Sequence, residues 1–244
     1  MEIKGDALEK KLAQIRDQTE GWVARWINKP VSFALTRRLL KTPVTPNQIT
    51  AVNLLLAGTA AFCLSRLEYG WRVLGAFLMY FSSIIDGCDG EVARLKGLCS
   101  KFGAWFDTIA DDFSNNLFFA AIFIGLFWST GNPLYWKLGG IALLLSLGVT
   151  AVIYHQLITG GESANAKDFA LAWREKEAGK KGLVERLKPA VKRDFFIAVI
   201  FLCVILDLRQ VFFWFGVVAA CITFALCLFS FLTQVYRDFL RSKT

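Results

Sequence analysis

Histidine is almost missing from the chain: of 244 residues, His155 is the sole example. A lone histidine makes a poor metal site, so His155, near the inner end of an apolar run, reads as a polar boundary residue. Paired cysteines are missing too. The six cysteines (63, 88, 99, 203, 221 and 227) lie in or beside apolar runs with no CxxC spacing, which argues against a zinc site or a disulfide framework. They read as small buried residues. No internal repeat or low-complexity tract is visible, and the only long polar stretch between apolar runs is 160–193. A cleavable leader is not expected either, because the first 40 residues carry mixed charges where a short apolar core would be.

What is abundant is apolar surface. Hydrophobic residues make up 55% of the chain, with 22 Phe and 8 Trp, and the mean hydropathy is +0.45. That balance departs from a soluble globular domain and points to a membrane protein. A helix needs about 20 apolar residues to cross the hydrocarbon core. Six spans are expected, at 48–66, 71–93, 103–128, 134–156, 194–208 extended by its flanks, and 211–235. The fold class is therefore all-α: a polytopic integral membrane protein with six transmembrane helices. Residues 1–47 form a cytoplasmic juxtamembrane segment, and 48–244 one transmembrane domain with a cytoplasmic loop at 157–193.

The net charge of +8 invites a nucleic-acid reading, but its distribution opposes one. Of 28 basic residues, 24 lie in 1–47, 94–102, 157–193 and 236–244, and four (Arg66, Arg72, Lys137 and Arg209) in the intervening turns. Cytoplasmic loops carry the excess of Lys and Arg. Both termini are therefore expected in the cytoplasm, and no nucleic-acid partner.

Leu8, Leu12, Ile15, Trp22 and Trp26 recur at helical spacing among Lys10, Lys11, Arg16 and Arg25, the pattern of an amphipathic helix on the membrane face. A docking helix for another protein is the alternative. Pro43 and Pro46 bar a continuous helix, Pro46 suits the opening of the first span, and Thr45 is the expected N-cap. Gly131-Asn132-Pro133 reads as a tight turn. Phe212, Phe213, Trp214 and Phe215 read as lipid-facing anchors. The 157–193 loop, with its nine basic residues, is either a solvated connection or a lid over a site.

Against this apolar background, DGCDGEVARLKGLCSKFGAWFDTIAD (86–111) stands out. Asp86 and Asp89 are spaced i,i+3, Asp107 and Asp111 i,i+4, so each pair shares one helix face. A short turn around Gly97 to Ser100 lets the two helices lie antiparallel with the pairs facing each other. A charge at mid-bilayer costs roughly 2.5–3.5 kcal/mol on insertion scales, and neighbouring like charges add to that. Divalent cations offset the cost. Oxygen-only donors favour magnesium, manganese or calcium over zinc, and four carboxylates can hold two ions roughly 3.5–4 Å apart, the arrangement that clamps phosphoryl transfers. An acidic patch solvated at the membrane edge is the plainer alternative. Gly90, Ala93 and Gly103 leave room for a flat or phosphorylated ligand, or for close helix packing, and Arg94 offers a fork for phosphate oxygens. Asp112, turned by about 100° from Asp111, points elsewhere, and Glu91 likewise points off the Asp89 face.

The pattern Asp86-x2-Asp89-Gly90-x2-Ala93-Arg94-x8-Gly103-x3-Asp107-x3-Asp111 resembles the full signature of the CDP-alcohol phosphotransferase (CDP-alcohol phosphatidyltransferase) family. TPNQIT (45–50) is similar to the entry into that family's first span. The wording DGCDGEVAR followed by SKFGAWFD looks closest to the branch that uses inositol phosphate, including di-inositol-phosphate phosphate synthases. The resemblance implies a membrane enzyme, commonly a homodimer, that transfers a substituted phosphate from a CDP-linked donor to an alcohol and releases CMP. It implies that Asp86, Asp89 and Asp107 ligate two divalent ions, magnesium or manganese. Asp111 would contribute to metal binding and act as general base. Gly90, Ala93, Arg94 and Gly103 would line the cytidine diphosphate pocket, with Asn47 and Thr50 touching its nucleotide side. Asp112 departs from the family, where many members carry a basic residue. A phosphorylated acceptor would need cations such as Lys192 and Arg193. The competing reading is a divalent-cation transporter using the same aspartates, against which Arg94 counts because it would repel a travelling cation; a catalytically dead scaffold would retain a costly cluster for no ligand.

Overall fold

Thr45 caps the first long helix as its sequence requires: its side chain accepts from the Gln48 amide at 3.4 Å, Gln48 Oε1 accepts from the Thr45 amide at 3.0 Å, and Pro46 occupies the first helical position. This capping box satisfies two amides that a helix start leaves unpaired. The computed structural model describes residues 5–19, 21–159 and 193–241, and among them there is no strand. The helices are α1 (Gly5–Asp17), α2 (Lys29–Leu39), α3 (Pro46–Leu64), α4 (Tyr69–Lys96), α5 (Lys101–Thr130), α6 (Pro133–Thr159), α7 (Arg193–Ile205) and α8 (Arg209–Arg241), with a wider π-helical turn at Ala24–Asn28 before α2.

Helices α3 to α8 fall on the six expected apolar runs to within a few residues. Four of them, over Pro46–Leu64, Lys101–Thr130, Pro133–His155 and Arg209–Phe229, are long and apolar enough to cross a membrane, so the chain is an integral membrane protein. Helix α4 carries Arg72 near its start and acidic residues in its last turns, and α7 offers only the short apolar run Phe195–Ile205.

Gly97, in the left-handed region at φ 68°, ends α4. Ser100 then opens α5 by accepting from the Gly103 amide at 2.9 Å. That turn joins α4 to α5, and both helices pack on α3. Small residues make the crossings tight: Ala57, Ala60 and Ala61 of α3 are buried, and a Cβ on Gly75 of α4 would lie 2.6 Å from the Leu64 amide nitrogen. The core adds Met79, Phe118, Ile122, Leu126, Ile197 and Val204.

The aromatic band at 212–215 differs from its lipid-anchor reading. Phe212 and Phe213 are buried, Phe213 stacking against Phe119, whereas Trp214 and Phe215 face outward. One turn of helix cannot aim four consecutive residues the same way. The N-terminal stripe also divides. Leu12 is buried against Phe33 and Leu95, with Leu8 and Ile15 packed beside it, while Trp22 and Trp26 are exposed. Cysteines 63 and 88 are buried as expected, but Cys99 and Cys221 are exposed. Nearly all of the 157–193 loop lies outside the described residues.

Candidate active site

The last turns of α4 and the first of α5 bring Asp86, Asp89 and Asp107 together: one carboxylate oxygen from each lies within 4.8 Å of the others. Asp89 is the most buried, 4% exposed. Its two oxygens are held separately, Oδ2 accepting from Thr50 Oγ1 at 2.5 Å and Oδ1 from the Gly90 amide at 2.5 Å. Thr50 lies one helical turn beyond Asn47 on α3, which is why α3 must start with a firm cap: the cap fixes the register of both residues.

Beside these carboxylates lies a pocket of about 110 Å³ lined by Asn47, Thr50, Asp89, Gly90, Ala93, Gly103 and Asp107. Five of the six residues expected around a cytidine diphosphate therefore line one recess. Pro46, Leu98, Cys99, Ser100 and Ala104 complete it and were not foreseen. Gly103 sits close to its neighbours: a Cβ there would lie 3.0 Å from Ser100 Oγ and 3.2 Å from Asn47 Oδ1, so both side chains would have to give way. Arg94, the sixth, is exposed and does not line the recess. Its Nη2 lies 3.7 Å from where a Gly90 Cβ would stand.

Asp111 stands one turn further along α5, outside the converging trio, and is 9% exposed. It lines a second, larger cavity of about 570 Å³ among α5, α6 and α8. Asp112, Asn115, Asn116, Thr150 and Tyr154 furnish that cavity with polar groups. The Tyr154 hydroxyl donates to Asp112 Oδ2 at 2.7 Å, so Asp112 points away from the trio, as its helical phase predicts. Asn115 and Asn116 are a signal that the sequence offered and that went unused: amides inside an apolar span face a polar cavity more readily than lipid.

Glu91 also points off the aspartate face. It is fully buried and accepts from Lys29 Nζ at 2.6 Å, Ser32 Oγ at 2.8 Å and Thr36 Oγ1 at 2.7 Å. Of the expected acceptor cations, Lys192 and the side chain of Arg193 lie outside the described residues.

The donor set of the trio fits a hard divalent cation. Every candidate ligand atom is a carboxylate oxygen, the chemistry that magnesium and manganese prefer. Three mutually repelling carboxylates in a half-buried site also need a positive charge between them.

Fold and site together define a helical membrane protein with an acidic, cation-binding type of centre beside a small-residue pocket. The chain belongs to the CDP-alcohol phosphatidyltransferase family, whose model matches residues 43–225. It is 32% identical over 142 residues to the bifunctional IPC transferase and DIPP synthase of Archaeoglobus fulgidus, covering 58% of this chain and 26% of that one. It is 34% identical over 110 residues to the phosphatidylinositol phosphate synthase of Corynebacterium glutamicum, covering 45% and 48%. The chain thus spans about a quarter and about half of these relatives' lengths. The crystal structure of Mycobacterium tuberculosis phosphatidylinositol phosphate synthase with CDP-DAG bound shares the fold, with a TM-score of 0.55 at 20% identity over 82% of this chain and 92% of that one.

Proposed function

We propose that this chain is a CDP-alcohol phosphotransferase, moving a substituted phosphate from a CDP-linked donor to an alcohol with release of CMP. Its place would be in phospholipid or inositol-phosphate biosynthesis of the di-inositol phosphate type, the branch the relatives' names suggest. The observation that carries the reading is the juxtaposition of the Asp86–Asp89–Asp107 trio with a recess lined by Asn47, Thr50, Gly90, Ala93 and Gly103.

Asp86, Asp89 and Asp107, with Asp111 beside them, would hold two divalent cations, magnesium or manganese. When bound, these neutralise the donor diphosphate and polarise its phosphorus. Gly90, Ala93 and Gly103 let the nucleotide approach the helix backbones, and Asn47 and Thr50 flank it from α3. Arg94 closes on the phosphate oxygens. Asp111 accepts the proton of the acceptor hydroxyl, whose oxygen forms a bond to the phosphorus distal to cytidine. The bond from that phosphorus to the bridging oxygen breaks and CMP departs with the electron pair. Asp111 lines the larger cavity, which supports that cavity as the acceptor's place; Lys192 and Arg193, whose side chains lie outside the described residues, are the cations proposed for a phosphorylated acceptor.

Six spans, a homodimer in the cell inner membrane, and termini and site on the cytoplasmic side complete the proposal. The run of basic residues at the aspartate end of the bundle supports that orientation. A cation transporter is not favoured, because the Arg94 guanidinium lies beside Gly90, the residue next to Asp89, and the family is one of transferases. The test is CMP release by the purified protein with magnesium, offered CDP-diacylglycerol and CDP-inositol against a panel of polyols and their phosphates. Release that requires one donor and one alcohol supports the reading; a folded, metal-binding protein that releases none refutes it.

A further inference from the structure

Four basic residues fall outside the chain's basic segments, and two of them converge. Arg72, in the first turn of α4, and Arg209, at the start of α8, are 6% and 7% exposed. Arg72 Nη2 lies 3.1 Å and Arg209 Nε 3.3 Å from the same oxygen, Asp207 Oδ1. Arg72 Nη1 donates to the Leu67 carbonyl. Arg72 Nε and Arg209 Nη1 are buried with no hydrogen-bond partner among the described residues. The cluster lies at the end of α4 opposite the aspartates, about 20–25 Å away at 1.5 Å per residue.

Two buried guanidiniums thus share a single carboxylate oxygen. The pair carries one positive charge more than Asp207 neutralises, and leaving a buried N–H unpaired costs about 1–3 kcal/mol. Burying charge without full pairing is worse still. Asp207 itself is poorly committed. Its side chain is 55% exposed and its backbone sits at φ 54°, a conformation unfavourable for a residue with a Cβ. A tetrahedral oxyanion offers three or more acceptor oxygens where Asp207 meets both arginines through one, and matches the fork geometry of arginine. The turns around the cluster expose Leu67, Tyr69, Leu206 and Leu208, the apolar fringe expected of a site at a bilayer boundary, where phosphate groups are concentrated. Tyr69 donates to the Ile205 carbonyl at 2.6 Å, holding the two turns together.

We propose that Arg72 and Arg209 form a phosphate-binding site at the end of the bundle remote from the aspartates, with Asp207 as the internal occupant that a phosphate displaces. The phosphate belongs to a phospholipid headgroup or is free in solution, and the two sources are separable. Native mass spectrometry of the detergent-purified full chain with added phosphatidylglycerol reads the first. Thermal stabilisation by inorganic phosphate reads the second.

Asp207→Ala removes the competitor and should tighten binding of the probe several-fold, while Arg209→Gln should weaken it at least tenfold. That opposed pair of shifts for phosphatidylglycerol assigns the site to lipid; the same pair for inorganic phosphate alone assigns it to the free anion. If Asp207→Ala merely lowers thermal stability and changes neither probe's binding, the cluster is a structural latch and the proposal is overturned. Should Arg209→Gln fail to fold, Asp207→Ala alone decides. CMP release, which depends on the other end of the bundle, should be unchanged in Asp207→Ala, so failure here is distinct from failure of the transferase reading.

Discussion

Glu91 and Lys29 form an ion pair inside the protein, with Nζ 2.6 Å from Oε1, the Glu91 side chain fully buried and that of Lys29 12% exposed. It clamps α2 to α4 two residues beyond Asp89, and Ser32 and Thr36 saturate the carboxylate. Breaking such a pair from one side leaves an uncompensated buried charge. Lys29→Met should therefore destabilise by roughly 3–5 kcal/mol, seen as a lowered Tm in detergent. Adding Glu91→Leu should recover more than half of that loss, because the charge left behind, more than the lost attraction, carries the cost. A double variant no more stable than Lys29→Met would contradict this.

The α3–α4 crossing sets Thr50 against Asp89, and Gly75 permits it. A side chain at Gly75 would meet backbone atoms of Leu64 and Ala60, at 2.6 and 2.9 Å, which cannot rotate away. Gly75→Val should cost about 1–3 kcal/mol and lower activity together with Tm. Gly70→Ala, with open space around it, is the matched control and should change neither.

Asp112 and Tyr154 hold each other in the wall of the larger cavity. If that cavity receives the acceptor, Asp112→Asn and Tyr154→Phe should each raise the acceptor KM roughly fivefold, about 1 kcal/mol, with the donor KM unchanged. A change confined to the donor KM would move the acceptor elsewhere.

Helix α1 is pinned by charge as well as by Leu12. Arg37 donates to both oxygens of Glu9, at 2.9 and 2.8 Å, and that hydrogen bonding holds the Glu9 carboxyl below its ordinary value of 4.5. A depressed folded-state pKa contributes stability that is present above the unfolded value and is lost as pH falls through the folded one. Proteolytic release of α1 should thus increase as pH drops below about 4.5, and Glu9→Gln should abolish that dependence. The contact is solvent-accessible on both sides, so salt should also weaken it.

Much of this was legible in the sequence because it depends on local chemistry. The Thr45–Gln48 cap, the Gly97 and Gly131 helix ends and the spacing of the aspartates follow from residues within a turn or two of one another. Partners distant in sequence were not legible. Nothing near Glu91 announces Lys29, 62 residues away, nor does Arg72 announce Asp207, 135 residues away. The inward turn of Phe213 onto Phe119 is equally a property of packing: an apolar residue in an apolar span carries no mark of whether protein or lipid will cover it.

The central claim is that Asp111 deprotonates an alcohol beside a cation-bound CDP donor. The most direct measurement is single-turnover CMP release by wild type and Asp111→Asn, each with magnesium and with EDTA, alongside CDP binding by the same samples. The account predicts that Asp111→Asn, with the Asp86–Asp89–Asp107 trio intact, still binds CDP with magnesium yet releases CMP at least 10²-fold more slowly, and that EDTA silences both. CMP release from Asp111→Asn at the wild-type rate, or from either protein in metal-free buffer, would contradict it.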